Sequence, residues 1–156
     1  MAVAVSQIDD ARPPTRAERR LAWLLRILAL LFTAGAIGFL VRPDETVTAL
    51  DRIGAVAGLP TLADARGPVV SDFWLAFAVA DMATLATCAW LAAADVRRRR
   101  ALVHAIVVSK LAATVAAVLL FARWAHVVPF LAIAVVEMAV AILVVSALRA
   151  TSAPSP

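Results

Sequence analysis

The chain has 156 residues, 63% of them hydrophobic, and a formal net charge of +4. A mean hydropathy of +0.91 is too apolar for a soluble fold, so one integral membrane domain is expected. The arginines lie beside apolar runs, which is the pattern that orients helices in a bilayer, so the charge does not indicate nucleic-acid binding. The single cysteine, Cys88, excludes an intramolecular disulfide and a cysteine-rich metal site.

The chain divides into a basic tail over residues 1–20, four apolar runs, and a tail over 149–156 that is expected to be disordered. A helix needs about 20 residues to cross a ~30 Å hydrocarbon core, and each run has this length. Helices are preferred to strands because isolated strands leave their backbone unpaired in lipid. The predicted fold is an all-α, four-helix transmembrane bundle with helices at about 21–41, 73–94, 101–122 and 127–148.

The first run has a second interpretation. The sequence from Ala34 to Ala36 follows a basic region and an apolar stretch, as the A-x-A-like end of a signal peptide does. The apolar run continues beyond it, which favours an uncleaved helix. Cleavage would leave three helices.

The long loop after Pro43 predicts a short surface helix. Val47, Leu50, Ile53 and Val56 recur every three residues, which suits an amphipathic helix lying on the membrane. An irregular loop is the alternative. The later loops, 95–100 and 123–126, are short, so the last three helices should be antiparallel neighbours.

The distribution of arginine predicts orientation. Nine arginines flank the helices on the side of both termini, and four lie on the other side. Positively charged loops face the cytoplasm, so both termini are predicted to be cytoplasmic in a plasma (bacterial inner) membrane. Much of the excess comes from one run, Arg97, Arg98, Arg99 and Arg100. This run is interpreted as a topology determinant and, secondarily, as a contact for anionic lipid.

Three ionisable residues are predicted near the midplane. Asp81, Lys110 and Glu137 each lie nine or ten residues into a helix, or roughly 14 Å from its end. Lys110 is the only lysine of the chain. Charges at this depth cost about 3 kcal/mol on insertion scales, so they are expected to face the bundle interior and pair.

Two threonines are predicted to share these faces, Thr84 with Asp81 and Thr114 with Lys110. One lysine with two ionised carboxylates would carry a net charge of −1, which a shared proton could neutralise. The cluster is therefore a candidate site for a proton or a small cationic or polar ligand. The alternative is a structural ion pair that holds helices together.

Other residues indicate no catalytic or cofactor site. Cys88 and His104 are too few for a metal site, and His126 is interpreted as a solvated loop residue. No nucleotide-binding loop, serine–histidine pattern or HExxH motif is present. No cofactor or metal is predicted, and a non-enzymatic role is favoured over an enzymatic one.

The segment LLRILALLFTAGAIGFLVRP, together with the FW…D…SK arrangement in the second and third helices, resembles the DoxX-like small four-helix membrane proteins. The resemblance covers roughly residues 21–148 and matches Arg42 to a basic residue that the family often places at the outer end of helix one. It implies a four-helix membrane fold and, for some members, association with redox or quinone systems. It implies no catalytic residue.

Three function classes follow. The first is a small membrane protein whose polar cluster is structural or supports a membrane-complex partner. The second is a proton-coupled or small-solute transporter that uses the cluster, and a homodimer is expected for it because four helices make a narrow bundle. The third is a quinone- or lipid-binding membrane enzyme or redox subunit.

Overall fold

Helices account for nearly all of the chain that the computed structural model describes: residues 12–42, 45, 48, 49, 52, 72–125 and 128–152. The four long helices are α1 (Arg16–Val41), α2 (Asp72–Ala94), α3 (Arg100–Leu120) and α4 (Val128–Ser152), and a π-helical turn, Phe121–Ala125, continues α3. All four are long and apolar enough to cross a membrane. The described chain is therefore all-helical, as the sequence predicted.

The first helix begins at Arg16, five residues earlier than predicted. Thr15 is its N-cap: the Glu18 N–H donates to Thr15 Oγ1 at 3.2 Å, and the Thr15 N–H donates to Glu18 Oε2 at 2.6 Å. This capping box satisfies backbone donors that a helix start otherwise leaves unpaired. Residues 16–20 are consequently helical rather than part of a tail.

The last helix also extends beyond its predicted end. It continues to Ser152, four residues past 148, and the Thr151 hydroxyl donates to the Leu148 carbonyl oxygen at 2.6 Å. The first residues of the predicted disordered tail are therefore helical, and the final four lie outside the described residues. Most of the predicted surface helix also lies outside them, so that element stays a prediction.

The helices pack as two pairs. The widest contacts join α1 to α2 and α3 to α4, and narrower contacts join α2 to α3 and α1 to α4. Gly35 lies where α1 meets α2: a Cβ on this residue would stand 2.7 Å from Met82 Sδ. Small residues allow this kind of close approach between transmembrane helices.

The hydrophobic core lies towards the end of the bundle that holds both termini. Leu21 and Leu25 of α1, Ala89 of α2 and Val103 and Ile106 of α3 are fully buried there. Lipid tails are as apolar as leucine, so such contacts stabilise a membrane bundle mainly through van der Waals packing. The outer surface carries exposed large apolar side chains on every helix, which suits contact with lipid.

Candidate functional site: the midplane charges

Lys110 and Glu137 meet between α3 and α4. Lys110 Nζ lies 2.8 Å from Glu137 Oε2, and the two side chains are 3% and 18% exposed. Both residues lie nine or ten positions into their helices, so the contact falls near the middle of the apolar length. Two of the three ionisable residues that were expected to pair therefore do so.

Lys110 and Glu137 each lie on the inward-facing stripe of their helix. The buried stripe of α3 consists of Val103, Ile106, Lys110, Thr114 and Ala117, which recur every three or four residues. On α4, Glu137 is flanked on its inward face by two buried alanines, Ala134 and Ala141. These small side chains leave space for the lysine to reach the carboxylate.

Phe32 of α1 forms a third side of the site. Lys110 Nζ lies 4.5 Å from the centre of the Phe32 ring, within cation–π distance. Phe32 is itself buried. The ammonium group is therefore held between a carboxylate and an aromatic face, and the contact ties α1 to the α3–α4 pair.

The hydrogen bonding around the pair is incomplete. Glu137 Oε2 is buried and, within the described part of the chain, no donor is aligned with it for a hydrogen bond. The 2.8 Å contact with Lys110 is therefore an ion pair held by charge rather than by alignment. Thr114 is buried beside Lys110, but its hydroxyl donates to the Lys110 carbonyl oxygen at 2.8 Å, within its own helix.

Asp81 lies apart from the pair. Its side chain is exposed on the surface of α2, and Thr84 lies exposed one turn later, where its hydroxyl donates to the Ala80 carbonyl oxygen at 2.8 Å. The neighbouring Met82 turns towards Gly35 of α1 instead. The structure thus brings two of the three predicted charges together and leaves the third on the bundle surface.

Phe32 was not among the residues that the sequence predicted for this site. Its signal was present: Leu21, Leu25, Leu28 and Phe32 follow one face of α1, and Phe32 lies about 16 Å beyond Leu21, near the depth of Lys110. An aromatic residue on the buried face at that depth is a natural cover for a buried cation.

A second ion pair, which the sequence also did not predict, joins α1 to the α2–α3 connection at the end of the bundle that holds the termini. Arg97 Nε and Nη2 donate to the two carboxylate oxygens of Glu18 at 2.6 and 2.8 Å. Arg97 also donates to the carbonyl oxygens of Arg12 and Pro13 at 2.9 and 3.1 Å. Bidentate contacts of this kind are among the stronger ones in proteins. The capping-box pattern Thr15-x-x-Glu18 signals the start of α1, but it does not signal the pairing of Glu18 with Arg97.

Glu18 precedes the apolar run that begins at Leu21, so it lies in the polar first turn of α1. The hydrogen bonds from Arg97 are the largest influence on it, and they lower the pKa of Glu18 to about 2; burial opposes this shift. The carboxylate is therefore ionised at neutral pH.

The other arginines of the 97–100 run also contact protein groups. Arg98 lies 3.8 Å from Asp95, Arg99 donates to the Leu91 carbonyl oxygen at 2.9 Å, and Arg100 donates to the Thr151 hydroxyl at 3.5 Å. The run thereby links the α2–α3 connection to both ends of the described chain. A contact between this run and anionic lipid stays a prediction.

Cys88 is partly buried on α2 and His104 is exposed on α3. Within residues 12–42, 72–125 and 128–152, no three His, Cys, Asp or Glu side chains converge as metal ligands would. His126 lies outside the described residues.

Protein-family models, curated proteins and solved structures were compared with the chain, and none matches it. The resemblance to DoxX-like proteins therefore stays a prediction, and function is argued from the residues alone.

Proposed function

We propose that this protein is a small multi-pass membrane protein that acts as a non-catalytic assembly subunit, and that α2 binds a transmembrane helix of a partner protein through Asp81. The observation that carries the proposal is the exposure of Asp81 on the bundle surface. Asp81 lies nine residues into α2, about 13 Å from its start, so it is far from both ends of the apolar length.

The Lys110–Glu137 pair supports this proposal because it holds α3 and α4 together inside the subunit. Its lysine is buried, and the Phe32 ring covers the ammonium group. A pair held so closely between three helices suits a structural role better than repeated uptake and release of a solute.

Charge complementarity specifies the partner. A carboxylate facing hydrocarbon costs about 3 kcal/mol on insertion scales, and a lysine, arginine or hydrogen-bond donor on a neighbouring helix would offset this cost. A second copy of this chain would instead bring two Asp81 carboxylates together, which like-charge repulsion disfavours. We therefore assign the surface to a partner helix that carries a basic or donor side chain.

The surface around Asp81 suits helix docking. Ala80, Ala83, Thr84 and Thr87 are small and exposed on α2. Small residues let two backbones approach closely, which is the main source of affinity between helices in lipid. Asp81 would add specificity to this packing.

We place the protein in the plasma (bacterial inner) membrane with both termini in the cytoplasm. The support is the nine-to-four arginine count and the position of both described chain ends beside the α2–α3 connection.

A quinone- or lipid-binding subunit is the second candidate function. A cleft of about 380 Å³ lies between α1 and α2, with Leu30, Trp90 and Leu91 as its large apolar residues and Thr33 and Thr87 as its hydroxyls. An apolar cleft with few polar groups is typical of a cofactor or lipid site. A quinone that copurifies with the full-length protein and is lost in Trp90→Ala would favour this function.

The assembly role is tested by photocrosslinking in native membranes. A benzophenone amino acid replaces Thr84 beside Asp81, and in the control it replaces Val108, an exposed apolar residue of α3. We expect one heterologous adduct from position 84 that falls at least about tenfold in Asp81→Leu, the equivalent of about 1.4 kcal/mol. Asp81→Glu should retain it.

An adduct of the same yield in Asp81→Leu would contradict the proposal, as would one seen equally from position 108. An adduct with the mass of two copies of this chain would also overturn it, because the surface would then be a homodimer interface.

A further inference from the structure

A cleft lined by arginines lies beside the start of α1. Its volume is about 450 Å³, and its walls include Arg12, Arg19, Trp23 and Arg26 from the N-terminal side and Ala93 and Ala94 from the end of α2. It is distinct from the surface around Asp81 and from the Lys110–Glu137 pair.

The charges of the cleft are unbalanced. Its two carboxylates already have cationic partners: Glu18 is bound by Arg97, and Asp95 lies 3.8 Å from Arg98. Arg12, Arg19 and Arg26 have no carboxylate within 4 Å among the described residues. Three guanidinium groups therefore give the cleft a positive potential that its own acids do not neutralise.

The arginines of the cleft are partly positioned already. Arg19 donates one N–H to the Pro14 carbonyl oxygen, and the Arg26 guanidinium lies 5.7 Å from the centre of the Trp23 ring. A guanidinium has five N–H donors and binds phosphate oxygens in a bidentate manner, so each of these side chains retains donors for a phosphate group.

The surroundings indicate a lipid rather than a soluble anion. Ala22, Ala93 and Ala94 give the cleft an apolar wall, and Trp23 is 64% exposed, as an aromatic residue at the membrane interface would be. Arg26 lies five residues beyond Leu21, about 8 Å into the apolar run, from where its long side chain reaches back towards the headgroups. Arginines beside an apolar wall at this level suit the phosphate of a phospholipid and the first carbons of its acyl chains.

We infer that this cleft binds the phosphate headgroup of an anionic phospholipid through Arg19 and Arg26, with Arg12 at its rim and Trp23 against the glycerol region. The site differs from the predicted lipid contact at residues 97–100. Arg97 of that run also lines the cleft but is bound to Glu18, whereas Arg19 and Arg26 have no acidic partner among the described residues. It does not depend on the proposed assembly role.

The inference is tested by native mass spectrometry of the full-length protein. The protein is titrated with phosphatidylglycerol and, separately, with phosphatidylcholine. Arg19→Gln/Arg26→Gln should weaken phosphatidylglycerol binding at least about tenfold, because it removes two guanidinium groups that would donate charge-assisted, bidentate hydrogen bonds to the phosphate. The matched control, Arg20→Gln/Arg149→Gln, removes the same charge from the same end of the bundle. It should bind within about twofold of the wild type, because neither arginine lines the cleft and so neither can donate these hydrogen bonds.

A charge-conserving variant tests whether a loss of binding comes from misfolding. Arg19→Lys/Arg26→Lys keeps the charge and the helix propensity, and should bind more tightly than the glutamine variant but less tightly than the wild type, because lysine lacks the bidentate fork. Equal losses in the cleft and control variants would overturn the inference. Displacement of phosphatidylglycerol by millimolar inorganic phosphate would overturn it too, since the site would then be one for a soluble anion.

Discussion

Lys110 and Asp81 lie at nearly the same depth in neighbouring helices, yet their surroundings are opposite. Lys110 is buried, paired with Glu137 and covered by Phe32. Asp81 is exposed, with small residues around it. Both charges carry a similar insertion cost. Lys110 is compensated inside the bundle by Glu137, whereas we propose that a partner helix compensates Asp81. Equal depth in a membrane therefore does not imply a common site.

The difference arises from helical phase. Successive residues of a helix point about 100° apart, so Asp81 faces outwards while Met82 packs against Gly35. A shift of one residue in α2 would turn the carboxylate towards α1. If this contrast holds, folding should depend on the buried pair and should not depend on the surface charge.

Lys110→Met should be the most destabilising change. It leaves Glu137 without its cation, and breaking a buried pair in this way costs about 3 kcal/mol or more. Unfolding in mixed micelles measures the loss. Lys110→Met/Glu137→Leu should recover most of it, because two apolar side chains of similar volume replace a buried pair with little net cost. If the double variant is no more stable than Lys110→Met, the loss does not come from leaving Glu137 unpaired.

The Glu18–Arg97 pair should make stability depend on acid pH. The pKa of Glu18 is about 2 in the folded chain, whereas its ordinary value is 4.5. Between these pH values the folded chain therefore binds fewer protons than the unfolded chain. The contribution of this pair is complete above pH 4.5 and is lost as the pH falls towards 2. We expect it to be about 2 kcal/mol, as is usual for hydrogen bonds between charged groups.

Thermal unfolding of the wild type and of Glu18→Gln across this pH range measures the effect. Glu18→Gln should be less stable at neutral pH and should approach the wild type near pH 2, where Glu18 is protonated in the unfolded chain and about half protonated in the folded chain. Parallel curves for the two proteins across the whole range would show that Glu18 contributes no pH-dependent stability.

Gly35→Val should cost about 1 to 2 kcal/mol, because the added side chain overlaps Met82 and forces the two helices to shift. Met82→Ala in the same chain should restore part of the loss by making space. Gly38→Val, further along α1, is the matched control. Equal effects of the two glycine substitutions would mean that backbone propensity, rather than the contact with Met82, decides the result.

Asp81→Leu should change the stability of the isolated protein by less than about 0.5 kcal/mol, because the side chain faces detergent in both the folded and the unfolded helices and its insertion cost cancels. Its effect should instead appear in the crosslinking experiment with the partner helix. The same unfolding assay in mixed micelles supplies the measurement. A loss as large as that of Lys110→Met would show that Asp81 has an internal partner, and the contrast between the two charges would fail.

Several features were predictable because they depend on local chemistry. Runs of about 20 apolar residues predict helices that can cross a membrane, because a helix pairs its backbone groups within one segment whereas an isolated strand leaves them unpaired in lipid. The pairing of Lys110 with a carboxylate followed from its depth. The helix start at Arg16 could also have been predicted, because the Thr15 and Glu18 side chains that cap it lie three residues apart.

Other features could not be predicted from a single chain. Two carboxylates were available to Lys110 at equal depth, and only the rotation of α2 and α4 about their axes decided that Glu137 is the partner. The sequence periodicity was no guide there, because α2 and α4 are apolar on almost every side and so have no distinct inward face. The contact of Arg97 with Glu18 joins residues 79 positions apart, a pairing that no local pattern specifies.

Apolar helices long enough to cross a membrane, with ionisable groups near their centres, follow from the order of residues alone. Length, hydropathy and distance along a helix are properties of the chain and need no neighbours. That Lys110 faces Glu137 and Phe32 while Asp81 faces outwards is known only from the packed helices. The facing of a side chain depends on how the helices rotate and pack against one another, and that is a property of the assembled bundle.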